Sequence, residues 1–443
     1  MGRRQPRKQL PRDPVQAKIE TLSHDGRGVT HIDGKAVFIH GALPGEEVEF
    51  IYTKKQRRFD EGNAVTILKA SPDRVEPRCA HFSICGGCSL QHQSPQAQIA
   101  SKQQTLFDAF ERIGKVQPER VLPPLTTDDP WGYRRKARLG VKYVHKKGKV
   151  LVGFRERGSG FLADLEKCHV LHPRVGELLL PLAGLIESLS IREQVPQIEV
   201  AIGDHDSLLI FRILAALTAE DSDRLIEFGK THDQIIYIQE GGPDTVKPLQ
   251  GEPHELTYAL PDYHLEVYFQ PNDFTQVNSE LNRLMIGRAM QLLQPEPEDS
   301  VLDLFCGLGN FTMPIARKAR EVVGVEGDAG LVERARRNAQ RNGISNTRYF
   351  TANLYESLTK EPWLKSSFDK ALLDPPRSGA LEVLEHLPKL GIDRIVYVSC
   401  YPGTLARDAG ELVHKHGYRL RAAGVMDMFP HTSHVESIAL FER

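Results

Sequence analysis

The stretch VLDLFCGLGNF, residues 301–311, decides the fold, because it is typical of a buried strand, a Gly-x-Gly loop and a helix start. Further apolar segments with strand character follow it, and helical patterns separate them. Strands that alternate with helices of this length predict an α/β domain with a parallel, doubly wound, Rossmann-like sheet. The predicted strands are 301–305, 321–325, 369–373, 394–398 and 434–441, and the predicted helices lie at about 310–320, 329–342, 382–390 and 403–416.

The Gly-x-Gly loop differs at two points from a loop that binds a dinucleotide. A dinucleotide fingerprint needs Gly or Ala three places after the second glycine, where this chain has Thr312. Asp303, just before the loop, would repel a pyrophosphate. Both features favour a ligand without phosphates, of which S-adenosylmethionine is the common one. Glu326, at the end of the next strand, is placed to hold ribose hydroxyls. The alternative is a tight turn in an NAD-type fold.

Two more candidate residues follow later strands of the same sheet. Asp374, in LLDPPR, ends a strand at the edge where ligands of open α/β sheets bind. A plain strand-ending turn would have the same sequence. Cys400, in VSCYPG, precedes a helix whose N-terminus is expected to lower the thiol pKa. Packing is the alternative for Cys400 and the preferred interpretation for Cys306.

A reactive thiol next to a methyl donor indicates one particular chemistry. Carbon 5 of a pyrimidine is a poor nucleophile, but it can attack a methyl group once a thiolate has added to carbon 6. A base must then remove the proton from carbon 5, and Glu436, close to His431 and His434 near the last strand, is the candidate. A base inside a helix would have to be flipped into such a site.

Residues 13–70 carry turn signals between short alternating segments, including Asp33-Gly34. Five strands in so short a segment predict a small closed barrel of the oligonucleotide-binding (OB) kind. Residues 1–60 hold 12 Lys/Arg and 8 Asp/Glu, a net +4, and the run KKQRRF at 54–59 lies on one connection. We expect this run to contact RNA, with a solvated loop as the alternative.

Residues 71–260 form a predicted mixed α+β central domain that opens with three cysteines. A basic hairpin at 134–157 carries ten Lys/Arg against one acid, Glu156, with Lys136, Arg138 and Lys142 on its cationic face. Such an excess of one sign predicts nucleic-acid contact. Cys79, Cys85 and Cys88, together with Cys168, offer four thiolates, enough for zinc or an iron–sulfur cluster. The cluster is favoured because Cys168 has no neighbouring cysteine with which to form a zinc knuckle.

The composition limits the class of protein. Among 443 residues, 57 Lys+Arg and 58 Asp+Glu give a net charge of −1, so any surface for a polyanion must be local. No apolar run is long enough to cross a membrane, and no signal peptide is visible. Six cysteines are too few for a disulfide scaffold, so we expect a reduced, cytoplasmic protein without a membrane partner. The length predicts about three domains, drawn at 13–70, 71–260 and 261–443.

Five motifs, as an ordered set, resemble the RNA (uracil-C5)-methyltransferase family: FTQVN at 274–278, DLFCGLGN at 303–310, DPPR at 374–377, SC at 399–400 and HTSHVE at 431–436. The resemblance implies that Cys400 is the nucleophile and Glu436 the general base. It also implies that S-adenosylmethionine is contacted by Gln276, Phe305, Asn310, Glu326, Asn353 and Asp374.

The resemblance extends to the rest of the chain. Some bacterial ribosomal members of the family carry a four-iron–four-sulfur (4Fe-4S) cluster on cysteines so spaced, which implies the ligands Cys79, Cys85, Cys88 and Cys168. They also carry an N-terminal TRAM domain, which residues 13–70 resemble. Both features imply an enzyme that methylates a single uridine of 23S ribosomal RNA, and we expect it to be monomeric. The alternatives are the same chemistry on transfer RNA, an RNA-binding iron–sulfur protein with an idle transferase site, and an amino-methyltransferase.

Overall fold

The computed structural model describes residues 10–11, 13–356, 358 and 361–443. The chain divides into two compact units. The first contains the chain up to Lys102 together with Pro430–His434, and the second contains Gln103–Phe429 and Val435–Arg443.

The first unit contains a six-stranded sheet in the order β1-β5-β6-β4-β3-β2. Alternation in EVEFIYT, where Val48, Phe50 and Tyr52 are buried, turns one face of β5 into the core of this sheet. The structure has six strands here where the sequence predicted five, and the short β2 is among them. The strands are β1 (Val15–Lys18), β2 (Thr21–Leu22), β3 (Gly28–Ile32), β4 (Lys35–His40), β5 (Glu47–Lys55) and β6 (Phe59–Lys69).

A buried ion pair fixes the segment that follows the sheet. The fully buried Glu46 carboxylate accepts hydrogen bonds from Arg74 Nε and Nη2, at 2.5 and 2.7 Å. It also accepts the backbone N–H groups of Leu43 and Ser71. These contacts attach Ser71 and Arg74, which follow β6, to the turn before β5.

The second unit holds the remaining strands. They are β7 (Arg120–Val121), β8 (Lys136–Val144), β9 (Lys149–Gly153), β10 (Gln197–Ile202), β11 (Ser207–Arg212), β12 (Ile235–Gln239), β13 (Val246–Pro248), β14 (Leu256–Leu260), β15 (Leu265–Phe269), β16 (Ser300–Leu304), β17 (Glu321–Glu326), β18 (Thr347–Thr351), β19 (Lys370–Leu373), β20 (Arg394–Ser399), β21 (Arg419–Met426) and β22 (Glu436–Glu442).

The α-helices of the described residues are mostly those between the strands of the second unit, and α1 runs across the boundary between the units. They are α1 (Pro95–Ala109), α2 (Pro173–Gly176), α3 (Leu179–Ser188), α4 (Ala219–His232), α5 (Ser279–Leu293), α6 (Thr312–Ala316), α7 (Ala329–Arg341), α8 (Leu381–Leu384) and α9 (Pro402–His414). A π-helical turn, Phe110–Gly114, extends α1. No helix among these combines the length and the hydropathy that a membrane span requires.

The large sheet of the second unit has the order β18-β17-β16-β19-β20-β22-β21-β7. Strands β16 to β20 are parallel, as the sequence predicted, and β22 lies antiparallel between β20 and β21. All five residues of β16 are buried, as expected for a central strand covered on both faces. The sequence missed β18 because this edge strand, TRYFT, has no continuous apolar run.

A second six-stranded sheet has the order β13-β12-β11-β10-β8-β9. It contains the predicted basic hairpin as β8 and β9, with β9 at the edge. Leu139 and Val141 are buried while Arg138 and Lys142 are exposed, so the predicted alternation holds in this part of β8.

Candidate active site

The predicted site residues of the large sheet follow the carboxyl ends of its parallel strands. Strand order reverses between β16 and β19, and ligands of open α/β sheets bind outside such a switch point. Residues from distant segments of the sequence therefore meet at one edge of the sheet. The residues at this edge are Phe305 and Asn310 after β16, Glu326 at the end of β17, Asn353 after β18, Asp374 after β19 and Cys400 after β20.

The glycine loop after β16 is a tight turn held by Glu326. Phe305, Gly307 and Gly309 have φ of +64°, +53° and +88°, a region that glycine adopts without strain. The Gly307 N–H donates to Glu326 Oε2 at 3.1 Å, and the Gly327 N–H donates to Oε1 at 2.7 Å. The carboxylate is therefore oriented before any ligand arrives.

Two carboxyl groups make this edge acidic and poorly hydrated. Burial raises the pKa of Asp374 to about 7. Burial also raises the pKa of Asp303 to about 7, with the charges of Asp374 and Glu326 adding to the rise and a hydrogen bond from Thr312 opposing it. Asp303 Oδ1 is buried and has no hydrogen-bond partner among the described residues. Such an edge repels phosphates and attracts a cationic ligand, such as one with sulfonium and ammonium groups.

Asn310 is held by residues that the sequence did not single out. Its Oδ1 accepts the Tyr258 hydroxyl at 2.9 Å and Asn282 Nδ2 at 3.1 Å, and its Nδ2 donates to Asn282 Oδ1 at 3.0 Å. The amide is therefore fixed in orientation. Asn282 lies in the first turn of α5, so these contacts also bring the start of α5 to the glycine loop.

Gln276 lies on the loop that leads into α5, two residues before Asn278, whose side chain accepts the Leu281 N–H. Lys136, at the start of β8, reaches this loop. Its Nζ donates to the Pro271 carbonyl at 3.0 Å and to the Asp273 carbonyl. The sequence placed Lys136 on the cationic face of the hairpin, and the structure adds that its ammonium group is engaged by this loop. Burial lowers the pKa of Lys136 to about 8.

Tyr355 contacts both Phe305 and Asn353. The Phe305 and Tyr355 ring centroids are 5.8 Å apart. Asn353 is exposed, donates to Glu356 Oε1 at 2.7 Å and accepts the Tyr355 N–H at 3.1 Å. The Tyr355 hydroxyl donates to the Gly379 carbonyl at 3.2 Å, which connects this side of the edge to the loop after Asp374.

Cys400 and Glu436 face each other across two strands. In the antiparallel pairing of β20 with β22, Ser399 is opposite Ser437, so the next residues outward are Cys400 and Glu436. Glu436 is buried and Cys400 is half-buried. The register therefore gives the predicted nucleophile and base a common location, which the sequence suggested but could not establish.

The thiol pKa differs from the sequence expectation. Burial, together with the carboxylates of Glu436 and Asp374, raises the pKa of Cys400 to about 11 against the opposing charge of Arg377. The expected lowering by the α9 N-terminus is wrong for the structure without ligands, because burial and two acids outweigh the helix.

A network ties the loop after Asp374 to α9. Asp408 Oδ2 accepts the Tyr397 hydroxyl at 2.6 Å and the Ala380 N–H at 2.8 Å. Thr404 Oγ1 donates to the Arg377 carbonyl, and Arg407 Nη2 donates to the Ser378 carbonyl. The segments that carry Asp374 and Cys400 are therefore held in one arrangement.

The four upstream cysteines are half-buried thiols. Cys79, Cys85 and Cys88 lie in the first unit, where the Gly87 N–H donates to Cys85 Sγ at 3.4 Å. In the same unit, the N–H groups of Ser89 and Leu90 donate to the His431 carbonyl, each at 2.9 Å. Cys168 belongs to the second unit. Within the described part of the chain, no group of three or more His, Cys, Asp or Glu is arranged to hold a metal ion.

Acids outside the basic hairpin compensate part of its charge. Arg138 pairs with Glu199 at 3.1 Å, and Arg135 pairs with Asp204 at 2.7 Å. Asp164 pairs with Lys147 and with Lys149, both at 2.9 Å. The predicted excess of ten cations to one acid therefore overstates the local field.

The fold and the acidic edge define the class of S-adenosylmethionine-dependent methyltransferases, because this sheet presents a cation-attracting cleft at its switch point. The tRNA (Uracil-5-)-methyltransferase family matches residues 256–443, and the TRAM domain matches residues 8–65. The 23S rRNA (uracil(1939)-C(5))-methyltransferase RlmD of Alkalilimnicola ehrlichii is 56% identical over 100% of this chain and 99% of its own length. RlmD of Methylococcus capsulatus is 55% identical, with 100% of both chains covered.

The chain therefore belongs to the 23S rRNA (uracil-C5)-methyltransferase family. A solved structure of the Pyrococcus abyssi tRNA (uracil-54, C5)-methyltransferase in complex with S-adenosyl-L-homocysteine resembles it with a TM-score of 0.72 at 24% identity. That match covers 96% of this chain and 99% of the archaeal one, and it confirms the fold.

Proposed function

We infer that this protein transfers a methyl group from S-adenosylmethionine to carbon 5 of one uridine in 23S ribosomal RNA. The observation that carries this inference is the pairing of Cys400 with Glu436 at the edge where Asp303 and Asp374 favour a cationic donor. The relatives that match the full chain are named for uridine 1939, and we propose the equivalent uridine as the target.

We propose that Cys400 opens the reaction by adding its sulfur to carbon 6 of a flipped uracil. This addition makes carbon 5 nucleophilic, and bound S-adenosylmethionine supplies the methyl group that carbon 5 takes up. The raised thiol pKa means that the thiol proton must leave as the sulfur adds, and the neighbouring carboxylate of Asp374 can take it. The carboxylates that raise this pKa also keep the thiol protonated, and hence unreactive, until a substrate arrives.

We propose that Glu436 then removes the proton from carbon 5, so that the double bond reforms and the Cys400 thiolate is expelled. The buried carboxylate of Glu436 lies directly across the strand pair, so it is within reach of a uracil ring that is bonded to Cys400. The Ser437 hydroxyl donates to the Ser399 carbonyl at 3.2 Å, which fixes the register on which this geometry depends.

We propose that the six predicted contact residues hold the donor in the following way. Glu326 takes ribose hydroxyls, since its carboxylate is already oriented by the backbone N–H groups of Gly307 and Gly327. Asp374 takes the cationic side of the donor. Gln276, Phe305, Asn310 and Asn353 contact the remainder, with Asn310 held for this role by Tyr258 and Asn282.

We also propose that the chain has three domains: an RNA-binding barrel at 13–70, a central domain at 71–260 and a methyltransferase domain at 261–443. The exposed cations of the β5–β6 turn, including Arg57 and Arg58, suit the RNA backbone. We expect the protein to act as a monomer in the cytoplasm, where ribosomal RNA is assembled.

The proposed function is tested by mapping 5-methyluridine in 23S ribosomal RNA from a strain that lacks the gene. We expect one uridine to lose its methyl group and to regain it when the purified protein and S-adenosylmethionine are added. A change in transfer RNA with intact ribosomal RNA would instead assign the activity to transfer RNA.

We propose that Cys79, Cys85, Cys88 and Cys168 hold a 4Fe-4S cluster. The support is the donor set, four half-buried thiols, of which Cys85 already accepts a backbone N–H. The described residues do not form a ready metal site, so no step of the reaction is assigned to the cluster. Anaerobic purification with iron and sulfide analysis tests the proposal. We expect about four irons per chain, and a colourless zinc protein would contradict it.

A further inference from the structure

A groove of about 670 Å³ lies along the β8–β9 hairpin of the second unit. It does not include the sheet edge that carries Asp374 and Cys400, which we call the methyl-transfer edge. Its floor includes Gly140 of β8, on which Leu162 packs. An added Cβ at Gly140 would lie 2.6 Å from Leu162 Cδ2, so a side chain at this position would displace Leu162. The floor of the groove is thus apolar and built by a specific contact.

The rim of the groove is cationic. Arg138, Lys142, Lys147 and Arg155 line it, against one acid, Glu156. Arg138 and Lys147 are neutralised by Glu199 and Asp164. Lys142 and Arg155 are exposed, and neither forms an ion pair with any described residue. These two cations are therefore available to an anionic ligand.

An aromatic ring stands at the mouth of the groove. Phe161 is 76% exposed, so its ring is accessible to a ligand in the groove. The backbone of its loop is hydrogen-bonded at both Phe161 groups. The Glu156 N–H donates to the Phe161 carbonyl at 2.9 Å, and the Phe161 N–H donates to Ser159 Oγ at 3.0 Å. Proteins bind single-stranded nucleic acid with exposed rings beside free cations, by stacking a base on the ring and holding its phosphates.

We propose that this groove takes an unstacked base of the RNA substrate, outside the methylated uridine, stacked on Phe161 with the neighbouring phosphates on Lys142 and Arg155. The proposal rests on the proposed function. Strand β8 connects the groove to the donor site, because the Arg135 N–H donates to the Val277 carbonyl beside Gln276. At about 3.3 Å per residue, the groove lies roughly 20 Å along β8 from that loop, so it selects RNA by a flanking nucleotide at a fixed distance.

The test is methylation of a 23S ribosomal RNA fragment that contains the target uridine, with Phe161→Ala, Phe161→Tyr and Leu214→Ala. Leu214 is 61% exposed in the same unit and serves as the matched control. We expect Phe161→Ala to raise the KM for RNA about tenfold, with kcat and the KM for S-adenosylmethionine unchanged. We expect Phe161→Tyr and Leu214→Ala to behave like the wild type.

Two further measurements distinguish the contribution of the two cations from that of the Phe161 ring. Lys142→Gln and Arg155→Gln should each lower the slope of log Kd against log salt by about 0.7, whereas Phe161→Ala should leave it unchanged. A fragment shortened to the target loop should abolish the difference between Phe161→Ala and the wild type.

The proposal is overturned if Phe161→Ala methylates the full fragment like the wild type, since the groove then holds something other than RNA. It is also overturned if Leu214→Ala is impaired as much. If the wild type fails to methylate the fragment at all, the proposed function itself fails, which is a distinguishable result.

Discussion

The methyl-transfer edge and the basic hairpin use charge in opposite ways. At the edge, Asp303 and Asp374 are withdrawn from water, and Asp303 Oδ1 has no hydrogen-bond partner among the described residues. On the hairpin, most cations are exposed or are compensated by Asp164, Glu199 and Asp204. We therefore expect single groups to determine the chemistry at the edge, and many weak contacts to contribute to RNA binding on the hairpin. Mutations should therefore have large effects at the edge and small, graded effects on the hairpin.

The largest expected effect is that of Cys400→Ala. Removal of the nucleophile should lower kcat for methyl transfer by at least roughly 10⁴-fold, because carbon 5 is then not activated. Cys306→Ala, which changes a buried thiol nearby in the fold, is the matched control and should keep most activity. Single-turnover assays on the ribosomal RNA fragment measure both, and an active Cys400→Ala would remove the central residue of the account.

Glu436→Gln should have the next largest effect and a different signature. Turnover should fall roughly 10²- to 10⁴-fold, because the proton at carbon 5 then has no base. The adduct between Cys400 and the methylated uridine should accumulate, so denaturing gels should show RNA attached to the protein. Slow turnover without any attached RNA would argue that Glu436 only supports the β20–β22 pairing.

Lys136 connects the two regions, because it lies on the hairpin strand β8 and its ammonium group contacts the loop that carries Gln276. Lys136→Met should raise the KM for S-adenosylmethionine roughly tenfold, since two carbonyls of the Gln276 loop lose a charged donor. In the wild type this KM should rise above pH 8, as the ammonium group with a pKa of about 8 loses its proton, and the variant should lack that rise.

Lys142→Met on the same strand is the control for Lys136. Its side chain is exposed, so it should weaken RNA binding and leave the KM for S-adenosylmethionine unchanged. Equal effects of both variants on the donor would mean that Lys136 has no special role.

The thiol pKa gives a smaller and graded prediction. With a pKa of about 11, alkylation of Cys400 by iodoacetamide should become about tenfold faster per pH unit between pH 8 and 10. Asp374→Asn and Glu436→Gln each remove a negative charge that disfavours the thiolate. Both should therefore lower the pKa and speed alkylation at pH 8. Subtracting the rate of Cys400→Ala isolates this residue, and a slower reaction in both variants would contradict the sign.

The smallest effect is expected from Asp164→Asn. This change releases Lys147 and Lys149, so RNA should bind about twofold more tightly at low salt. The gain should vanish at high salt. Weaker binding in a filter assay would indicate that Asp164 orders the hairpin rather than masking its charge.

The sequence predicted the parts of the molecule that rest on local pattern. Buried strands such as β16 and β20, the glycine loop and the residues after each strand follow from runs of apolar residues and from topology. Contacts between distant segments could not be predicted. Three examples join residues far apart in sequence. They are the hydrogen bonds of Tyr258 and Asn282 to Asn310, the hydrogen bonds of Lys136 to the Gln276 loop, and the ion pairs of Arg138 and Lys147.

The thiol of Cys400 shows the same limit in energetic terms. Its place before α9 was readable from VSCYPG, and on that basis a low pKa was expected. The opposite direction follows from Glu436 and Asp374, which the sheet brings to the thiol from other strands. A local motif gives the position of a group, whereas its ionisation depends on the whole edge.

The central claim is that Cys400 forms a covalent bond to the target uridine. The most direct measurement uses a 23S ribosomal RNA fragment with 5-fluorouridine at the target position, incubated with the protein and S-adenosylmethionine, digested and mapped by tandem mass spectrometry. Fluorine at carbon 5 blocks the final proton removal, so we predict one fluorinated, methylated nucleotide attached to the peptide that contains Cys400. No adduct, or an adduct on another residue, would contradict the account.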